Sequence, residues 1–414
     1  MLLISDVIFY ILIFLCVYAQ VFFLVTFFEN RGKLKIRKGP TKLQKYPSVT
    51  IIVPCWNEEK TVYETVCSLL ALNYPKDKVK ILLIDDGSTD STWNVISKFT
   101  KLPNIKVFQK ENGGKHTALN LGLANTETDF VGCMDADSLV DKESLIRIMS
   151  YFEKDPTTMA VVPSIIVYQP KNIIQKAQAF EHFMTVFMRK IHSFLGAVSV
   201  LPGPFSIYKK KVFDDLGLYR QAYNVEDTEM AYRMQKNHYR IDDCHDAYVY
   251  TNMPGTIPKL YKQRLRWIYG IINNIIDYRG VLFNKEYGNF SILVVPVALI
   301  FMFSSIFMFS KEIYFSIHFL FLKILNFQTV GLHAFNQVRN FDSFFIPTQV
   351  SLFILIFIYS AIILLSTLGR RIVEGKWILS FDVVYFLIVF SVVGPFWLCK
   401  AVYNTILSKR PAWR

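Results

Sequence analysis

The 414-residue sequence contains no Cys-x-x-Cys pair. Its six cysteines, Cys16, Cys55, Cys67, Cys133, Cys244 and Cys399, are scattered, which argues against a zinc site and against a disulfide framework. His182, His192, His238 and His245 have no ligand-like spacing either. There is no internal repeat, no low-complexity tract and no nucleic-acid motif, so no nucleic-acid partner is expected. Charged residues make up only 19% of the chain, and acids are the scarcer kind: 33 Asp and Glu against 46 Lys and Arg leave a net charge of +13. No basic segment precedes the first apolar run, as it would in a cleaved leader; Asp6 stands there instead.

Apolar residues are plentiful, at 52%. Residues 7–28 form a run without a charge, long enough at ~1.5 Å per residue to cross a ~30 Å hydrocarbon core. Further candidate spans are 290–310, 346–368 and 381–402. A weaker stretch, 313–327, carries His318 and Lys323 and reads as re-entrant, interfacial or a further span. Arg31, Lys33, Lys35, Arg37, Lys38, Lys42 and Lys45 follow the first run. They place the N-terminus outside and the next region in the cytoplasm, with much of the positive excess facing anionic lipid. The expectation is a multi-pass plasma-membrane protein with four spans. Its C-terminal side is ambiguous: three late spans put the C-terminus outside, whereas Lys409, Arg410 and Arg414 prefer the inside, and counting 313–327 as a crossing places Arg370 and Arg371 outside.

The expected segments are an anchor (1–30), a basic linker (31–47), a cytoplasmic domain (48–256), an amphipathic helix (257–289) and a membrane region (290–414). From residue 48 short β-branched runs alternate with amphipathic ones. Strands are expected at 48–53, 79–84, 105–108 and 130–134, and helices at 58–72, 91–99, 114–124 and 143–152. This alternation predicts an α/β domain with a mostly parallel sheet and helices on both faces. Beyond residue 158 the pattern predicts strands at 159–167, 201–209 and 248–250, and helices at 173–194, 212–216 and 227–237. Residues 257–278 repeat apolar side chains at close to 3.6-residue spacing opposite Lys259, Lys262 and Arg266, as in a helix lying in a membrane interface or on a domain surface.

Acidic clusters fall at the strand ends, where ligands bind in such sheets. Asp135-Ala136-Asp137 sets two carboxylates one residue apart, able to share a magnesium or manganese ion and to act on a bound diphosphate; a solvated turn is the plain alternative. Asp85-Asp86-Gly87-Ser88 can accept the N3–H of a uracil ring or cap the next helix. Pro54-Cys55-Trp56-Asn57-Glu58 can form the other wall of a base pocket, with Trp56 stacking on a base or buried in the core. Asn112-Gly113-Gly114-Lys115 opens a helix and offers Lys115 to a diphosphate, or is simply a turn. In Glu226-Asp227, Asp227 is the candidate general base for displacement at an anomeric carbon, and Glu226 either assists, pairs with an arginine or caps the helix. Gln263-Arg264-Leu265-Arg266-Trp267 offers Arg266 to phosphate oxygens and Trp267 to a sugar face.

Taken in order, Asp85-Asp86, Asp135-Ala136-Asp137, Glu226-Asp227 and Gln263 to Trp267 resemble the D, DxD, ED and QxxRW pattern of the membrane-embedded, processive family-two β-glycosyltransferases. These are the cellulose, chitin, hyaluronan and poly-N-acetylglucosamine synthases. The resemblance covers roughly residues 48–280 and implies a GT-A fold, a divalent metal (Mg2+ or Mn2+), a UDP-sugar donor and a polysaccharide acceptor passed across the bilayer, with an accessory membrane or export subunit as a further partner. By the same resemblance Asp86 contacts uracil, and Asp135 and Asp137 contact metal and diphosphate. Asp227 is the base, Gln263, Arg266 and Trp267 clamp diphosphate and acceptor, and Pro202-Gly203-Pro204-Phe205 forms an acceptor-side loop. Val225 stands where several members have Thr, and no Arg follows Glu226-Asp227, unlike the hyaluronan and chitin types. With the sequence ending at Arg414, the cyclic-dinucleotide-binding module of bacterial cellulose synthases is not expected. The pattern is most similar to poly-N-acetylglucosamine synthases, implying UDP-N-acetylglucosamine as donor. The alternatives are transfer of a single sugar to a lipid such as a polyprenyl phosphate, and a transport or scaffold protein with a degenerate transferase domain.

Overall fold

The computed structural model describes residues 4–34, 41–330 and 350–410. Lys35, Arg37 and Lys38 of the basic linker, the first residues of the span expected at 346–368, and Arg414 lie outside them. The chain divides into two compact units, Met1–Phe22 with Val297–Leu364, and Phe23–Pro296 with Leu365–Arg414.

Helix α1 (Ile4–Asn30) precedes the sheet. The larger unit then runs β1 (Val49–Cys55), α2 (Val62–Leu70), β2 (Val79–Asp86), α3 (Thr92–Ile96), β3 (Ile105–Lys110), α4 (Lys115–Ala124) and β4 (Phe130–Cys133). It continues with β5 (Ser138–Val140), α5 (Ser144–Lys154), β6 (Thr158–Val167), α6 (Ile173–Phe194), β7 (Ile207–Lys209), α7 (Lys211–Leu216), α8 (Glu226–Lys236), β8 (Arg240–Thr251) and α9 (Ile257–Asp277). Helices α10 (Val295–Val330), α11 (Val350–Glu374) and α12 (Asp382–Ile406) follow.

The eight strands among the described residues form one sheet in the order β3-β2-β1-β4-β7-β6-β8-β5. β3, β2, β1 and β4 are parallel. β1 and β2 read as near-continuous apolar runs because both faces are covered, whereas β3, at the sheet's edge, is only partly buried. Ile51 and Val53 of β1 enter a core shared with α2 and α5, while Ile52 enters the one shared with α4. The second half differs from the expected, mostly parallel sheet. β7 is antiparallel to both β4 and β6, and β5 is antiparallel to β8, so the sheet is mixed. The strand expected at 201–209 shrinks to β7, because Phe205 takes a left-handed φ of 63° and turns the chain just before it. β8 is twelve residues long where only 248–250 was expected. Its Asp242, Asp243 and Asp246 are buried, and Asp243 pairs with the buried Arg189 of α6 at 2.9 Å. Buried paired charges erase the apolar alternation that identifies a strand.

Among the described residues four helices, α1, α10, α11 and α12, are long and apolar enough to cross a membrane. α10 has 36 residues and, at ~1.5 Å per residue, is about 54 Å long. The weaker stretch at 313–327 therefore continues the helix that holds 295–310, and no separate crossing begins there. In the smaller unit Lys311 of α10 pairs with Asp6 of α1 at 2.9 Å and lies 4.4 Å from the Phe9 ring, so a charge in an apolar helix has a partner. In the larger unit α12 packs against α6 and α9. α9 thus touches α12, α8 and the turn that precedes α8.

Candidate active site

The loops after β1 and β2 are tied together. Asn57 N–H donates to Ser88 Oγ (3.0 Å), Thr89 N–H to Asn57 Oδ1 (2.8 Å) and Glu58 N–H to Thr92 Oγ1 (2.8 Å). This sets the half-buried Pro54 and Trp56 beside the end of β2. Asp85 is fully buried and accepts from Ser88 N–H and Gln109 Nε2, each at 3.1 Å. Asp86 accepts from Lys110 Nζ (2.6 Å), Gly113 N–H (3.1 Å) and Gly114 N–H (2.8 Å). Its carboxylate therefore pins the two-glycine entry to α4, a role not expected from the sequence. The N-cap of α3 is Ser91, without a side-chain cap, and Asp90 just before it accepts from Thr92 N–H at 2.9 Å, while Ser88 serves the β1 loop.

Lys115, the first residue of α4, joins three elements. Its Nζ lies 2.7 Å from Asp135 Oδ1, just beyond β4, and 3.5 Å from Glu226 Oε1 at the start of α8. Burial alone would lower its pKa, but Asp135 and Glu226 hold it well above the ordinary lysine value, so the ammonium stays charged. Gly203 passes directly over this pair: a Cβ there would stand 2.7 Å from Lys115 Nζ and 3.0 Å from Asp135 Oδ1. Phe205, expected in the same acceptor-side loop, is fully buried in the core, and its N–H donates to Cys133 O at 2.6 Å. Its ring fixes the turn and presents no face to a ligand.

Asp137 accepts from Ser138 Oγ at 3.2 Å. Burial and then the charges of Asp135 and Glu58 push its carboxyl up to about 7. Such crowding of acids is what a cation relieves. Among the described residues no group of three or more His, Cys, Asp or Glu side chains is placed to hold a metal alone. Two carboxylates with oxygen ligands from water and substrate phosphates nevertheless fit magnesium or manganese, which rarely take an all-protein cage. Asp135 and Asp137 suit that role.

Asp227 sits in the first turn of α8, partly exposed, and accepts from Thr228 N–H at 2.7 Å. Burial and then the neighbouring Glu226 push its pKa up to about 6. That value suits a base working near neutrality.

The QRLRW residues lie on α9. Arg266 Nη1 donates to Asn224 O at 3.2 Å, two residues before Glu226. Gln263 Oε1 is buried and accepts no hydrogen bond among the described residues, leaving an acceptor that needs a partner. Two features were missed in the sequence. Arg264 is buried, pairs with Glu181 of α6 at 2.5 Å, and stands 4.4 Å from the Trp267 ring and 5.7 Å from Phe390 of α12. Gly270 lets α9 touch Val225, whose Cγ2 would be only 2.2 Å from a Cβ at that position. The residue read as a departure from the usual Thr is thus half of a helix contact, a link that a one-dimensional pattern cannot display. We expect Gly270→Ala to lower turnover about tenfold by pushing α9 off the Glu226-Asp227 segment, and Val225→Ala in the same chain to restore most of it, since overpacking costs ~1–3 kcal/mol. Turnover of both variants in detergent checks this.

An eight-stranded mixed sheet with paired acids at its strand ends and an arginine- and tryptophan-bearing helix alongside make up a GT-A-like fold. Residues 50–217 match the model of glycosyl transferase family 2. Over 261 residues the chain is 30% identical to a poly-beta-1,6-N-acetyl-D-glucosamine synthase of Staphylococcus aureus, covering 62% of this chain and 63% of that protein. Over 229 residues it is 31% identical to the synthase of the same description from Staphylococcus epidermidis, covering 55% of each. The match thus spans less than two thirds of either relative. A mannosyltransferase from Pyrobaculum calidifontis, solved with GDP-Man and Mn2+, superposes with a TM-score of 0.53 at 16% identity over 96% of this chain and 99% of that one, which establishes a shared fold.

Proposed function

We propose that the protein is an inverting, membrane-bound glycosyltransferase that adds N-acetylglucosamine from UDP-N-acetylglucosamine to a growing β-linked polysaccharide and passes it across the membrane. The observation that carries this reading is the meeting of Lys115, Asp135 and Glu226 beside Asp227, with α9 fastened to the same segment. In the proposed step Asp227 takes the proton of the acceptor hydroxyl as its oxygen attacks the anomeric carbon. The bond from that carbon to the diphosphate breaks on the opposite face, and UDP leaves with the electron pair. One base and no enzyme nucleophile give inversion. Lys115 meets the departing negative charge. Asp135 and Asp137 would hold a divalent cation, which when bound supplies further charge neutralisation there. Gln263, Arg266 and Trp267 hold the acceptor and diphosphate. Asp86 has three of its roughly four acceptor positions filled, leaving at most one for a uracil N3–H, with Pro54, Trp56 and Glu58 as the facing wall.

The base works only when ionised. With Asp227 at about 6, kcat/KM should be level above that pH and fall about tenfold per unit below it. A pH–rate profile with radiolabelled donor tests this; a rate unchanged down to pH 4.5 would remove Asp227 from the role. The polymer reading is separated from a single-sugar glycolipid by the length of the product.

A further inference from the structure

We propose that the cavity on the reverse side of α8 binds a phosphate-bearing anion, at a site separate from that of the sugar donor. The cavity holds about 850 Å³, within the usual size range of ligand pockets. None of Asp86, Asp135, Asp137 or Asp227 lines it. At ~100° per residue, Glu229, Arg233 and Lys236 lie about 200°, 240° and 180° around the helix from Asp227, which places this wall away from the base.

Its charge is lopsided. Arg220, Arg233, Lys236, Arg279 and Arg410 line it against Asp215, Glu229 and Asp277. The acids are already engaged: Glu229 accepts from Arg233 Nη2 (2.5 Å) and the Tyr278 hydroxyl (2.6 Å), Asp215 accepts from the Tyr239 hydroxyl (2.5 Å), and Asp277 faces the Tyr223 hydroxyl. Glu229 also lies 3.5 Å from Arg220. Arg233 is used up by Glu229 and the carbonyls of Leu216, Gly217 and Leu218. Lys236, Arg279 and Arg410 form no ion pair with a carboxylate among the described residues. These three cations converge from the end of α8, the end of α9 and the chain's last described residue on one concave space, with the Tyr223 and Tyr278 rings between them. Converging cations in a concavity raise the local concentration of anions, and arginine forks match phosphate oxygens.

The wall beside Arg410 is also strained. Ala222, Tyr223 and Asn224 have φ of 41°, 58° and 63°, three successive non-glycine residues in left-handed geometry. Each is costly in isolation, and such conformations gather where a ligand is bound. The same turn leads through Val225 into Glu226-Asp227.

The test is binding of inorganic pyrophosphate to the full chain in neutral detergent with EDTA, followed by calorimetry and by the shift in unfolding temperature. Wild type should bind, and the triple variant Lys236→Ala, Arg279→Ala, Arg410→Ala should bind at least about tenfold more weakly. Lys115→Ala, which disarms the donor side, should bind like wild type. A second arm compares nanodiscs of phosphatidylglycerol with nanodiscs of phosphatidylcholine. If pyrophosphate fails to bind but phosphatidylglycerol raises the unfolding temperature of wild type and not of the triple variant, the phosphate is a lipid headgroup. If wild type and triple variant respond alike to both probes, or if Lys115→Ala abolishes pyrophosphate binding, the proposal is overturned. Neither binding readout requires turnover, so failure here is separable from failure of the proposed transferase reaction.

Discussion

Asp227→Asn is expected to reduce sugar transfer about a thousandfold while leaving the protein folded and able to bind UDP-sugar, as fits the loss of a general base. The amide keeps the shape of the side chain and its contact with Thr228 N–H but cannot take a proton. Stability should move the other way. Asp227 loses its proton near 3.8 in the unfolded chain and at about 6 in the fold. Between these values the folded state binds the extra proton, so stability falls as pH rises from about 4 to 6 and stays lower above that. The asparagine variant escapes this cost, and its unfolding temperature at pH 7.5 should equal or exceed that of wild type. A variant that is both inactive and destabilised would mean that the carboxylate is structural.

The second large effect concerns Arg264. Arg264→Met leaves Glu181 without its 2.5 Å partner and removes the guanidinium lying against Trp267 and Phe390. Breaking one side of a buried ion pair costs roughly 3 kcal/mol, much of it from the stranded charge. Glu181→Met alone should cost a similar amount. Together the two changes should cost clearly less than their sum, because neither charge is then left alone. Denaturation midpoints of the four proteins in detergent measure the coupling, and strict additivity would show that the pair does not fasten α9 to α6. Since α9 carries Gln263, Arg266 and Trp267, turnover should fall with the single changes and recover in the double variant.

β1 and β2 were legible because they are short, β-branched and buried on both faces. α6 and α9 were legible because their apolar periodicity is long. β8 was not, since its buried Asp242, Asp243 and Asp246 break the apolar alternation, and the partner of Asp243, Arg189, lies 54 residues away. β5 has three residues, too few to show a period. At the site, residue types at strand ends pointed to Asp135 and Asp137, an acidic pair at a helix start pointed to Asp227, and the two-glycine entry pointed to Lys115. What the types could not convey was who holds whom. Asp86 pins Gly113 and Gly114, Gly203 gives Lys115 and Asp135 room, and Gly270 admits Val225. Each depends on approaches between segments 27 to 88 residues apart, which no local pattern encodes.

The central claim is that these acids serve one reaction on a UDP-sugar with a growing chain as acceptor. Purified full-length protein in lipid nanodiscs, given UDP-[14C]N-acetylglucosamine and Mg2+ or Mn2+, tests it by the size of the labelled product. The account predicts a long polymer, sensitive to an N-acetylglucosaminidase, formed mole for mole with UDP and absent with Asp227→Asn. A product carrying one sugar on a lipid, or no transfer from any UDP-sugar while the protein remains folded, would contradict it.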